Sequence, residues 1–308
     1  MRIALADNNQ LKFTGDLKRH WEKNGHEVRY EMGASENLAT WADLYFLDFW
    51  DNNIHYLYNW YQEHPEARKP KLAVRAVDWE VWCGLARDQR IIDWVDTTIC
   101  IAPHIERKLR AENTWRNLHL IKCGVDTEKY QLSNKGGFNV VLPCNEIDWI
   151  LKNVAEGIKI FGMLKKKTPE LPWRLYVKGK WTQGNEYFKV LYNDLIEKLD
   201  LTGRVTFVDN HVDNYNEFLE QMNFCLVPSF KEAYSYVTAE CASKGIKPIL
   251  NNWYGADELW PKEWLYTTPD QAVDMFLHDY DPEQIREWVV ENSNMDDMMK
   301  EYDKVLGL

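Results

Sequence analysis

Pro228-Ser229-Phe230-Lys231-Glu232-Ala233-Tyr234-Ser235-Tyr236-Val237-Thr238-Ala239-Glu240 follows an apolar run, Phe224-Cys225-Leu226-Val227. It leads to Cys241-Ala242-Ser243-Lys244-Gly245-Ile246-Lys247-Pro248-Ile249-Leu250. The succession reads as strand, loop, short helix, glycine stop and strand. Two carboxylates, Glu232 and Glu240, bracket the loop and helix with seven residues between them. A helix N-terminus attracts an anion, and a carboxylate accepts hydroxyl groups. The combination suits a nucleotide sugar.

Outward from this stretch the same alternation repeats. Strands are expected at Phe138–Leu142, Trp173–Val177, Arg204–Val208, Phe224–Val227 and Ile246–Leu250. Helices are expected at Ile147–Leu164, Glu186–Leu199 and Tyr215–Gln221. Upstream, Arg2–Ala6, His26–Tyr30, Asp43–Leu47, Lys71–Val77, Thr97–Ala102 and Leu118–Lys122 read as strands. Asp16–Lys23 reads as a helix with Leu17 and Trp21 on one face, ended by Gly25. Alternating strand and helix implies mostly parallel sheets covered on both faces. The polar, glycine-bearing segment Gln131–Gly137 is the linker candidate. The expected fold class is α/β, with two Rossmann-like doubly wound parallel-sheet domains. The expected domains are residues 1–132 and 133–285, with residues 286–308 a C-terminal helix packing back on the first. Ligands of open parallel sheets bind beyond the carboxyl ends of the strands, so two such domains are expected to face each other across a cleft.

Composition narrows the classes of partner. The chain has 308 residues, 45% of them apolar, which suffices for a buried core. A formal net charge of −11 argues against broad binding to nucleic acid or anionic lipid. Fifteen Trp are present, most of them expected in the core and a few free to stack on a sugar ring or base. The six Cys form no C-x-x-C pair and read as reduced core thiols of a cytoplasmic protein. No stretch has the length of a transmembrane segment, and Met1–Asp7 is too short an apolar run for a signal peptide. No His or Cys cluster suggests a metal site.

With these elements in place, the chain resembles the GT-B glycosyltransferases, specifically the retaining family 4 type (the "glycosyl transferases group 1" domain). Glu232 and Glu240 match that family's E-x7-E motif. Pro228-Ser229 stands ahead of it and Gly245-Ile246-Lys247-Pro248-Ile249 behind. Gly124-Val125-Asp126-Thr127-Glu128-Lys129-Tyr130 is similar to its N-G-V-D-x-x-x-F element. Gly203–Phe207 is similar to its R-V-x-F strand, Gly255–Glu258 to its G-G-x-x-E segment, and Gly25–Val28 to G-H-E-V. The matches follow the family's order along nearly the whole chain. Two positions depart from it. The arginine after the first strand of the second domain is missing from Pro143–Lys152, and Val77 or Asp78 occupies the place of the first domain's histidine.

The resemblance implies a transferase, a hexosyltransferase, that moves a sugar from a UDP- or GDP-linked donor with retention and without a metal or other cofactor. It makes the first domain the acceptor side and the second the donor side. The acceptor is a sugar-containing or other small molecule. Glu232 and Asp78 are the catalytic candidates, Glu232 on the sugar or the reacting centre. Glu240 would accept from the ribose hydroxyls. Lys152 and Lys178 would face the phosphates together with the amides of Tyr236, Val237 and Thr238. His211, in Asp209-Asn210-His211 after a strand, would approach the base. Asp7, Asn8 and Glu80 are the acceptor-side candidates. Each has a plainer alternative: a solvated surface charge for Lys178, a helix cap for Asp78. The two departures keep a second function open, a catalytically impaired GT-B-like protein that binds nucleotide or sugar. A third, a GT-B transferase acting on modified DNA bases, is analogy of fold alone, and the acidic balance argues against it.

Overall fold

Ile3–Ala6 is an uninterrupted apolar run between Arg2 and Asp7, and Arg2–Asp7 forms a strand whose last five residues are all buried. Burial on both faces is the signature of a parallel strand covered by helices. Five more strands join it: β1 is Arg2–Asp7, β2 Glu27–Met32, β3 Leu44–Asp48, β4 Lys71–Ala76, β5 Thr97–Cys100 and β6 Leu118–Leu120. Six others follow: β7 Asn139–Glu146, β8 Arg174–Lys180, β9 Val205–Val208, β10 Phe224–Val227, β11 Lys247–Asn251 and β12 Leu265–Tyr266. The computed structural model describes all residues except 148, 149, 183, 185 and 209–213.

The strands form two six-stranded sheets, ordered β2-β1-β3-β4-β5-β6 and β12-β11-β10-β7-β8-β9. Every pair is parallel. In each sheet the chain builds outward on one side of its first strand and then crosses to build on the other. The reversal leaves a crevice at the carboxyl ends, between β1 and β3 in one sheet and between β7 and β10 in the other. The chain divides into two compact units, Met1–Cys123 with Asp296–Leu308, and Gly124–Met295.

In the first unit, Trp21 of helix Gly15–Lys23 packs on Phe46 of β3, ring centroids 5.5 Å apart. The C-terminal helix Met295–Leu306 lays Tyr302 against the same Phe46 at 6.0 Å. Its Asp303 accepts from Trp21 Nε1 at 3.2 Å. Lys71 Nζ donates to the carbonyl of Leu306 at 2.8 Å, near that helix's end. In the second unit the core is built from Val140 and Leu142 of β7, Leu175 and Val177 of β8, Leu226 of β10 and the inward face of helix Val154–Lys167. The Gln131–Gly137 segment runs along this unit, with the amides of Ser133 and Asn134 donating to the carbonyl of Lys244.

Several elements differ from the sequence reading. The helix expected over Ile147–Leu164 starts later: Ile150–Lys152 is a 3-10 turn, Asn153 takes the left-handed conformation (φ 50°, ψ 45°), and the helix proper is Val154–Lys167. Asparagine tolerates that backbone better than most residues. The strand expected over Trp173–Val177 runs on through Lys178-Gly179-Lys180, the end of β8. The acidic tail is two helices, Pro282–Asn292 and Met295–Leu306, because Ser293-Asn294 turns to pair with Val125. Strand β12 and helix Pro269–Leu277 escaped the pattern, β12 because two residues carry no period.

Candidate functional site

The crevice of the second unit is opened by how β7 and β10 part. They pair only at Val140 with Phe224 and Val141 with Cys225, whereas β10 and β11 stay paired to Val227 and Leu250. Pro143, two residues beyond the last pair, has no N–H to continue a ladder. The register of β7 against β8 shifts between Pro143 and Glu146. The strands therefore hand over to two loops that face each other. Phe230 N donates to the carbonyl of Leu151 at 2.9 Å, joining the loops through the backbone. Lys152 Nζ lies 2.5 Å from Glu232 Oε1, with both side chains only 13% exposed. Gly157 lets helix Val154–Lys167 close against this place, since a Cβ there would stand 2.2 Å from Leu142 Cδ1 and 3.3 Å from Pro228 Cγ.

Beyond Glu232, Ser235 takes a left-handed conformation (φ 73°) and helix Tyr236–Ser243 begins. Tyr236 and Val237 supply the first two amides of that helix. The Thr238 amide bonds back to Ser235 O at 3.0 Å, and the Thr238 and Ser235 hydroxyls lie 2.8 Å apart. Glu240, one turn on, accepts from the hydroxyl of Tyr130 at 3.0 Å. Burial pushes the Glu240 carboxyl up to about 7, against the lowering pull of Tyr130, Lys129 and Lys178. Lys178, at the end of β8, lies over the Tyr215 ring at 4.8 Å. Burial raises the Tyr215 hydroxyl well above its ordinary value, with Cys241 and Glu240 nearby adding to it. Glu232, Lys152, Glu240, Lys178 and the helix start thus all belong to the second unit, Lys152 and Glu232 in the segments that follow β7 and β10, Lys178 near the end of β8 and Glu240 in helix Tyr236–Ser243.

The first-unit candidates are arranged differently. Asp7 is fully buried at the end of β1, and its two oxygens hold the next loop. Oδ1 accepts from the Asn9 amide at 2.9 Å and the Tyr30 hydroxyl at 3.0 Å, and Oδ2 from the Thr14 hydroxyl at 2.7 Å. Asn8 spans this unit's own crevice, donating from Nδ2 to Asp51 Oδ2 at 2.6 Å. Glu80 is also fully buried, and its oxygens accept from the amides of Val77 at 2.5 Å and Asp78 at 3.1 Å. Its carboxylate closes the turn after β4, which leaves it no surface for an acceptor. Asp78 precedes helix Trp79–Trp82 without a side-chain cap bond, its carbonyl accepting from Val81 N and Trp82 N. His211 lies outside the described residues.

Two neighbours of these residues carried no signal of their own in the sequence: Tyr130, which donates to Glu240, and Arg286, which donates to the carbonyl of Tyr130. Tyr130 entered only as the last position of a motif, and Arg286 not at all. Arg286 is an arginine in an amphipathic helix, indistinguishable by spacing from a surface charge. Among the described residues no group of three or more His, Cys, Asp or Glu is placed to hold a metal ion. Nor is any described helix long and apolar enough to cross a membrane. Cys83 is exposed, and Cys100, Cys123, Cys144, Cys225 and Cys241 are buried.

No protein-family model and no curated protein sequence matches the chain. Solved structures do. Sucrose-phosphate synthase from Thermosynechococcus elongatus matches with a TM-score of 0.76 at 13% identity, over 99% of this chain and 98% of that one. HepE from Anabaena in complex with UDP matches with a TM-score of 0.76 at 14% identity, over 100% of both chains. The lipopolysaccharide outer core galactosyltransferase WaaB in its apo form matches with a TM-score of 0.72 at 14% identity, over 99% of both. Two doubly wound parallel sheets, superposed over the whole length on glycosyltransferases of this architecture, give the chain the GT-B fold.

Proposed function

We propose that this protein is a glycosyltransferase that moves a hexosyl group from a nucleoside diphosphate sugar to a small-molecule acceptor. The observation that carries the reading is Lys152 paired with Glu232 across the crevice of the second unit, beside the start of helix Tyr236–Ser243. Breaking a sugar–phosphate bond leaves negative charge on the diphosphate. A cation and helix amides fixed beforehand stabilise that charge most where water is thin. Lys152 is the cation, and Tyr236 and Val237 supply the amides. Glu232, released from Lys152 when the diphosphate arrives, faces the sugar hydroxyls. Glu240, steadied by Tyr130, takes the ribose hydroxyls.

UDP is the favoured donor nucleotide, because the Anabaena HepE structures of the same fold hold UDP and UDP-glucose. Retention at the anomeric carbon and transfer without a metal are carried over from the E-x7-E resemblance. Asp78 remains a proposed first-unit participant, supported by its place at the carboxyl end of β4. The test is calorimetry with UDP, GDP and ADP, followed by mass spectrometry of products from a panel of nucleotide sugars. Absence of binding to all three nucleotides overturns the reading. Binding without turnover, unchanged in Glu232→Gln, turns it into the non-catalytic alternative.

A further inference from the structure

Helix Pro282–Asn292 carries a guanidinium that grips the donor-side helix from behind. Arg286 Nη1 donates to the carbonyl of Tyr130 at 2.8 Å, the carbonyl of Ser243 at 2.6 Å and the hydroxyl of Ser243 at 3.2 Å. Its Nη2 donates to the carbonyl of Thr127 at 3.0 Å. Ser243 Oγ closes the same knot by donating to Tyr130 O at 2.6 Å. The guanidinium therefore ties the Thr127–Tyr130 turn to the last residue of helix Tyr236–Ser243. The backbone allows this closeness because Gly245 (φ +74°) follows. A Cβ there would stand 2.8 Å from that of Pro282, at the start of the Arg286 helix.

We propose that Arg286 is a positioning residue for Glu240: it sets the geometry of the Tyr130–Glu240 hydrogen bond and so presents the Glu240 carboxylate to a nucleotide ribose. The nucleotide half of this statement rests on the function proposed above. Arg286 touches neither Glu240 nor any ligand position. It fixes both ends of the bond that does, the Tyr130 backbone on one side and the helix end three residues after Glu240 on the other. A planar fork with five donors can hold three carbonyls in one plane, which a lysine ammonium cannot do. The other groups that act on Glu240 are Lys129, Lys178, Tyr215 and Cys241, none of them bonded to Arg286 in the contacts above.

The test needs no ligand for its first arm. Carbon-13 labelled glutamate reports the titration of Glu240 in the free protein, with its resonance assigned by Glu240→Gln. The wild-type midpoint is expected at about 7. Tyr130→Phe deletes the bond that lowers it, and the midpoint moves up by roughly one pH unit. Arg286→Gln is expected to move it the same way, and Arg286→Gln with Tyr130→Phe no further than Tyr130→Phe alone. Arg286→Lys keeps the charge and most of the packing, so it tests the fork even if Arg286→Gln does not fold. A wild-type midpoint in Arg286→Lys, or shifts that add fully in the double variant, overturns the proposal. The second arm titrates UDP into the same proteins, with about tenfold weaker binding expected for Arg286→Gln. If wild-type protein binds no UDP, the nucleotide reading fails while the carboxyl titration still decides the role of Arg286.

Discussion

Lys152 Nζ and Glu232 Oε1 meet at 2.5 Å although 80 positions separate them in the chain. They come from the loops that follow β7 and β10, the two strands where the sheet's winding reverses. The cation proposed to face the diphosphate is here paired with the carboxylate proposed to face the sugar. On the proposed function, donor binding exchanges one anion for another at Lys152.

That exchange separates the two residues experimentally. Lys152→Met is expected to weaken UDP binding by about 10- to 100-fold, the worth of a charge-assisted hydrogen bond. Glu232→Gln removes the carboxylate charge that faces Lys152, so UDP affinity is expected to hold or rise a few-fold while sugar transfer is lost. Calorimetry and a product assay on the two variants check this. Equal loss of UDP affinity in both would contradict the assignment.

Glu240 gives a pH signature in stability. Its folded value of about 7 lies above its ordinary 4.5, so the folded state favours the neutral carboxyl. As pH rises from 4.5 the unfolded chain releases this proton first. The stabilising contribution is complete below 4.5 and is lost as pH climbs through 7. Glu240→Gln, permanently neutral, is expected to be more stable than wild type at pH 8 and to lose that advantage below pH 5. Urea unfolding of both proteins at the two pH values measures it.

Binding carries the complementary signature. The ionised carboxylate is the better acceptor for ribose hydroxyls, so uridine affinity is expected to increase as pH rises through about 7. Uridine, which has no phosphate to titrate there, is the cleaner probe. Glu240→Gln should show a flat profile. A wild-type profile without an inflection would remove Glu240 from the ribose site.

In the first unit, Arg75 Nε lies 2.6 Å from Asp48 Oδ1 with both side chains essentially buried. Burial raises the Asp48 carboxyl and the neighbouring guanidinium opposes it. Arg75→Met leaves a buried carboxylate uncompensated and is expected to cost about 3–5 kcal/mol of unfolding free energy. Arg75→Met with Asp48→Leu is expected to recover most of that loss. Denaturant titration of the three variants makes the comparison.

Gly157 makes the packing case. A methyl group there meets Leu142 Cδ1 at the wall of the second unit's crevice. Gly157→Ala is expected to destabilise the protein by roughly 1–3 kcal/mol through overpacking, despite alanine's better helix propensity. A thermal melt at or above the wild-type midpoint would show that Leu142 gives way freely.

The alternation of apolar runs and helical periods is local, and it determined that both halves are parallel α/β structures. Its strands are those observed to within a few residues, β12 apart. Chemistry local to the chain was equally legible. Glu232 and Glu240 flank a helix start because a strand, a loop, an eight-residue helix and a glycine turn are written consecutively there. Periodicity cannot report which strand lies beside which, and the partners followed from that order. Only the tertiary structure set Lys152 against Glu232, Tyr130 against Glu240 across 110 positions, and Arg286 behind them. It also decided that Asp7 and Glu80, equally acidic in sequence, hold the loops beside them, Asp7 accepting from Tyr30 of β2 as well. A carboxylate's task depends on which donors the fold brings within about 3 Å of it, and those donors come from wherever the sheet order leads the chain.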